Sequence, residues 1–391
     1  MLKSTKRAIP NFCMKCMMWT FALMAISMSC GQNTAENSSD LEINSFSEES
    51  NMSFFNDLIS EIKATPLNTG DILMGTSGAF KMTKADNKFL ITDLQTNSVF
   101  LFNDDGTLIT HISKVGRGPG EYTGIQSSVF SNHKIIALAD NGHIIEYSED
   151  GEFEKESFLE TSVSDFCLLD DGLFAFLVPL NEGESDIEDR VIIADSSYKQ
   201  IKSFSSQQYQ LYDFGSSLSK VQNDGDSFLH IQACSPRIEK CNNEGVISSY
   251  NINLHGKEFP ESFVRAEDYD NLFNILTSTP EIYSILNAYE NQDYLLFAVC
   301  FMSDGEEKEI GLWLLNKNDY SSNIEYINLS DNLFSFIGPP LMLTRNNEVV
   351  FICDASMYES VREDYPKFNA LNTIISANPD NKIMLTCKLG H

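Results

Sequence analysis

The sequence predicts an all-β fold, a six-bladed β-propeller of four-stranded antiparallel blades with short helical insertions. Three observations predict it. A hairpin pattern recurs at a spacing of 45 residues, and a short strand that is apolar on both faces stands upstream of each hairpin. The 3.6-residue periodicity that a helical repeat needs is absent.

The first 29 residues read as a signal peptide. Lys3, Lys6, Arg7 and Lys15 form a basic head without acids, and an apolar run extends from Met17 to Ile26. Small residues then precede Cys30. This run is too short for a stable spanning helix. A Cys after a small residue is what bacterial lipoprotein processing requires, so Cys30 is the expected lipidation site and the new N-terminus. Ser27 departs from the preferred pattern, where Leu usually stands. Two lipid chains would hold the protein on a membrane without a transmembrane helix. Residues 31–51 are rich in Asn, Ser, Glu and Asp. They bury too little to offset their ordering entropy, so residues 30–52 read as a lipidated flexible tether. The propeller is expected over 53–391.

Within that span the clearest hairpin is Val99-Phe-Leu-Phe-Asn-Asp-Asp-Gly106-Thr-Leu-Ile109. Ile144-Ile-Glu-Tyr-Ser-Glu-Asp-Gly151-Glu-Phe153 repeats it, with Gly151 45 residues after Gly106. Weaker copies are Val191–Ser197, Ile238–Ile247 and Leu312–Asn318. Glycine supplies the positive φ of the tight turn. The upstream apolar strands are Phe89–Asp93, Ile135–Asp140, Leu173–Leu177, Phe228–Ile231, Leu295–Val299 and Val349–Ile352. Strands apolar on both faces suit burial between neighbouring sheets, and six of them specify six blades. Short helices are expected within 266–290 and 355–375. In the second, Met357, Val361 and Tyr365 lie one turn apart with Pro366 as a stop.

After the first blade comes Gly116-Arg-Gly-Pro-Gly-Glu-Tyr122. With this motif the chain resembles the six-bladed β-propeller lipoproteins of gut bacteria, which are similar in style to NHL-repeat proteins. The closing turn Asn378-Pro-Asp-Asn381 and final strand Lys382–Cys387 extend the resemblance over about 55–391. It implies a periplasmic or surface-exposed location in the cell envelope, lipid-anchored to the outer membrane. It implies no reaction and no catalytic residue.

The formal net charge is −29, and removal of the basic signal takes the mature chain to about −33. That argues against nucleic acid, whose phosphates need clustered Lys and Arg. No zinc or other metal site is expected from the cysteines, none of which forms a close Cys-x-x-Cys pair in the mature chain. Cys300 and Cys353 read as buried free thiols, and Cys234 and Cys241 as out of register for a disulfide. The histidines lack ligand spacing, and no nucleophile elbow occurs. Asp93 and Asp140 end equivalent strands and read as caps of their own turns.

The Gly-rich motif is expected to shape the crossing between two blades. Arg117, Glu121 and Tyr122 are the residues there that a ligand would meet. Arg117 is expected to bond carbonyls left unpaired by the crossing. Two functions remain open: a monomeric binding module for a glycan, peptide or protein, or an extracytoplasmic hydrolase or lyase working at one mouth of the channel. No cofactor is expected. The two chain ends are expected to meet, with Glu61–Ala64 beside Lys382–Cys387, because a propeller without closure leaves an open edge.

Overall fold

The computed structural model describes residues 39–43, 53–76, 80–85, 87–179, 187–208, 217–222, 224–232, 235–253, 283–301, 309–328 and 332–390. Cys30 and the signal region lie outside the described residues, as does Cys234.

Two strands precede the first blade, β1 (Ser39–Ile43) and β2 (Ile59–Pro66). Blade 1 holds β3 (Phe80–Ala85), β4 (Lys88–Asp93), β5 (Ser98–Asn103) and β6 (Leu108–Ile112), in that spatial order. Blade 2 holds β7 (Ile125–Ser131) through β10 (Phe153–Phe158), and blade 3 holds β11 (Asp165–Leu168) through β14 (Gln200–Gln208). Blade 4 runs from β15 (Ser217–Lys220) to β18 (Gly245–Ile252), and blade 5 from β19 (Tyr283–Glu290) to β22 (Ser322–Asn328). Blade 6 has β23 (Met342–Leu343), β24 (Glu348–Asp354) and β25 (Lys382–Leu389), with β2 as its outer strand. The expected closure is present: Ile62 stands opposite Cys387 and Ala64 opposite Leu385.

Each blade is antiparallel, and the first strands of successive blades touch one another, so β3, β7, β11, β15, β19 and β23 form the inner ring. The six apolar runs are the second strands. Their two-faced character follows from their position between neighbouring blades. In β4, Phe89 and Ile91 pack toward blade 6 while Leu90 packs toward blade 2. In β20 (Tyr294–Phe301), Leu296 joins blade 6 while Leu295 and Phe297 join blade 4. Six hydrophobic clusters result among the described residues, one at every junction between adjacent blades. The cluster joining blades 6 and 1 completes the ring, uniting Val350, Ile352 and Met384 with Phe80, Phe89 and Phe102.

Three expectations are corrected. Residues 283–290 form strand β19, so the proposed helix does not extend there; 254–282 lie outside the described residues. The second insertion is helical but broken into 3-10 segments Ala355–Ser360 and Pro366–Leu371, followed by α-helix Asn372–Ala377. Pro366 opens the second segment instead of stopping the first, because its fixed φ suits a first helical turn. Within the expected tether, β1 pairs in parallel with β18, Ser39 opposite Ser248 and Ile43 opposite Ile252. Leu41 accounts for this by packing on the core between blades 4 and 5. Cys353 is a buried free thiol, as are Cys167, Cys241 and Cys387.

Candidate functional site at the long-connection face

The antiparallel order sends connections to two opposite faces. One face carries the first-to-second and third-to-fourth turns. These are short: 104–107, 132–133, 149–152, 195–199, 243–244 and 291–293 among them. The other carries the second-to-third and blade-to-blade connections, including 67–76, 113–124 and 355–381 among the described residues. Long connections around a rigid ring are where binding side chains are normally displayed.

The tight-turn face is occupied by ion pairs between blades. Lys88 of blade 1 pairs with Glu149 of blade 2. Lys220 of blade 4 meets Asp170 of blade 3 at 2.5 Å, and Lys202 of blade 3 meets Glu244 of blade 4 at 3.7 Å. Between blades 4 and 5 the buried Glu290 receives Lys240 at 3.4 Å and Lys317 at 2.5 Å.

At the long-connection mouth, Lys81 of β3 reaches Asp165 of β11 at 3.2 Å, linking blades 1 and 3. Asp165 is buried and also accepts the Leu218 amide of blade 4 at 3.3 Å. Asp93 caps its turn by accepting from the Gln95 and Thr96 amides at 3.0 and 3.1 Å. It also accepts the Gly75 amide at 2.7 Å, latching the strand that enters blade 1. Asp140 differs from the expected cap: its carboxylate accepts from the Thr123 hydroxyl and the Gln126 side-chain amide of the connection, both at 3.3 Å, and from no amide of its own turn among the described residues.

The Gly116–Tyr122 loop is a wedge between blades 1 and 2. Tyr122 is buried and its hydroxyl donates to the Asn97 carbonyl at 2.8 Å. Burial pushes its pKa up to about 12. Glu121 turns inward and accepts the Gly118 amide at 2.7 Å. A Cβ on Gly116 would stand 2.1 Å from that carboxylate, so a side chain there would displace Glu121. Tyr147 of blade 2 donates to the Gly120 carbonyl at 2.8 Å, and Lys114 reaches the Gly151 carbonyl at 3.0 Å. Arg117 is exposed and makes no hydrogen bond or ion pair among the described residues. The carbonyls it was expected to satisfy are met by Tyr147 and by the loop's own amides. The structure therefore brings Glu121 and Tyr122 together inside the loop and leaves Arg117 outside it.

Sequence reasoning missed a cluster between blades 3 and 4. His230 is fully buried, with Nδ1 3.1 Å from Glu239 and 3.1 Å from the Ser205 hydroxyl. Ser205 also donates to Glu239, and Gln232 donates to it at 3.0 Å. Burial pushes the Glu239 carboxyl up, but the hydrogen bonds from His230 and Ser205 and the Arg237 charge outweigh this and hold it below its ordinary value. Ser, His and acid are the residue types of a nucleophilic relay, but here Ser and acid share one ring nitrogen. A relay needs the serine on the opposite nitrogen, so this arrangement does not activate Ser205. Nothing in the spacing of 205, 230 and 239 signals the cluster, since its members come from two blades.

Comparison with known proteins adds a family. The model described as "Domain of unknown function (DUF4934)" matches residues 40–388. Among solved structures, a protein of Bacteroides fragilis described as a candidate for export is 21% identical, with a TM-score of 0.67. The match covers 86% of this chain and 98% of that one. A member of the DUF4221 family from Bacteroides vulgatus is 11% identical, with a TM-score of 0.57 and coverage of 85% and 98%. No curated protein matches the chain.

Proposed function

Because the chain belongs to the DUF4934 family, in which no activity is described, we propose that it is an exported lipoprotein whose propeller binds an extracytoplasmic ligand on its long-connection face. The ligand would be a glycan, peptide or protein. The observation that carries this reading is the division of labour between the two faces. Short turns and most of the inter-blade ion pairs lie on one, and the described long connections 67–76, 113–124 and 355–381 lie on the other, which also holds the Lys81–Asp165 pair.

Export is supported by the basic head, apolar run and small residues before Cys30, and by the similarity to the Bacteroides fragilis protein described as a candidate for export. Lipid attachment at Cys30 and an outer-membrane location in the cell envelope belong to the same proposal. The enzymatic alternative draws no support from the Ser205–His230–Glu239 cluster, whose geometry lacks a relay.

Two measurements test the reading. Intact-mass analysis of protein purified from its native membrane should give a chain beginning at acylated Cys30. An unmodified or different N-terminus contradicts the lipoprotein assignment. Probing glycan and peptide arrays with the soluble domain should return a retained ligand of unchanged mass. Conversion of that ligand to a product of different mass contradicts the binding role and favours catalysis.

A further inference from the structure

We propose that the exposed ring of Phe158, at the long-connection end of blade 2, is a stacking platform for the sugar ring of a neutral glycan. The inference deepens the binding role proposed above and rests on it.

Strand geometry sets the platform. β9 (His143–Ser148) begins and β10 ends at the long-connection face, and Phe158 stands opposite His143 in the antiparallel ladder. Side chains opposite one another lie on the same face of the sheet and touch. The imidazole and phenyl rings stack with centroids 4.3 Å apart and planes 6° from parallel. Only one face of the phenyl ring is therefore covered. Phe158 is 69% exposed, the most exposed aromatic among the described residues, so its other face meets solvent. The strand end that carries it is tied down, because the Leu159 amide donates to the Gly142 carbonyl at 2.9 Å. A flat surface already fixed in its bound orientation loses little entropy when a ligand settles on it.

Polar groups stand beside the ring. Glu156 lies on the same face of β10, one pleat before Phe158. Its Oε2 is 3.3 Å from His143 Nε2 and accepts the Gly120 amide at 3.4 Å. Its Oε1 has no hydrogen-bond partner among the described residues. The loop that bonds this carboxylate also carries the unbonded Arg117. A phenyl face is the negative side of an aromatic quadrupole, and the C–H bonds on one side of a pyranose present the complementary positive surface. The sugar hydroxyls can then donate to the free carboxylate oxygen. A protein partner fits this surface poorly. Glu154, Lys155 and Glu156 are all exposed on β10, whereas protein interfaces are depleted of charge at their centres. Glu156 and the exposed Glu160 flank Phe158 in the chain, which favours an uncharged sugar over an acidic one.

The test screens the full chain, in a detergent without a sugar headgroup, against neutral gluco-, manno-, galacto- and xylo-oligosaccharides and a peptide array. Calorimetry then follows the retained oligosaccharide. Phe158→Ala and Phe158→Leu should each weaken binding about tenfold, since leucine keeps the apolar character and loses the flat face. Phe158→Trp should retain binding, and Glu156→Gln should lower it several-fold. Tyr320→Ala removes an exposed aromatic from a tight turn of blade 5 and should change nothing. The Phe158 variants should melt with wild type because the ring is mostly exposed, which separates lost binding from lost fold. An oligosaccharide that binds Phe158→Leu as well as wild type overturns this site and leaves the long-connection face as the binding face. Retention of no oligosaccharide, or of peptides alone, overturns the glycan assignment. Conversion of the oligosaccharide to a product overturns the binding role on which the inference rests.

Discussion

At the residue scale, the Gly116–Tyr122 loop shows which side chains the fold uses. Tyr122 and Glu121 bond within the wedge, whereas Arg117 faces solvent alone. Arg117→Ala should therefore melt within about 0.5 kcal/mol of wild type. Tyr122→Phe leaves the Asn97 carbonyl without its donor and should cost about 1 kcal/mol. Gly116→Ala pushes the Glu121 carboxylate aside, at the loss of its bond to the Gly118 amide, and should cost about 1 kcal/mol. Thermal melts of the three variants read the order directly, and a large loss at Arg117 would contradict it. The role of this motif was legible because alternating glycines specify backbone shape. The Arg117 contact was not, because a sequence does not reveal that Tyr147, from another blade, satisfies the Gly120 carbonyl. Glu239 offers a pH test. Its depressed carboxyl pKa contributes stability that is present above the unfolded value, near 4.3, and is lost as pH falls through the folded value. The melting gap between wild type and Glu239→Gln should be widest near neutrality and shrink below about pH 4. A gap unchanged at pH 3 contradicts this.

At the element scale, the second strands were legible and the inner strands were not. β4 and β20 are apolar on both faces because neighbouring blades cover both faces. Inner strands such as β15, Ser-Leu-Ser-Lys, are short and half polar because one edge borders the channel, so they lack a distinct pattern. β1 escaped notice for a related reason: a strand added to an outer edge needs little apolar surface, and Leu41 supplies its packing within an otherwise polar stretch. The two terminal strands differ in what they hold. β25 lies between β24 and β2 and closes the ring, whereas β1 lies outside a complete four-stranded blade. Deleting 382–391 should abolish cooperative unfolding, while deleting 31–43 should shift the melting temperature by only a few degrees. Circular dichroism melts distinguish them. A 382–391 truncation that keeps the wild-type transition would contradict closure by the β2–β25 pair.

At the scale of the whole molecule, six apolar junctions set the ring, and the connections differ in length between its two faces. The ring could be read from the 45-residue spacing, since each repeat must bury both sides against its neighbours. The ion pairs on the tight-turn face could not, because partners such as Lys88 and Glu149 stand 61 residues apart in different blades. Nor could the mouth, where Lys81 reaches past blade 2 to Asp165. The central claim is that the long-connection face is the working face. Hydrogen exchange of the domain, free and bound to the ligand returned by the arrays, tests it most directly. The account predicts slowed exchange at 71–76, 94–97 and 140–142, with the turns at 104–107, 149–152 and 195–199 unchanged. Protection confined to those turns would contradict it.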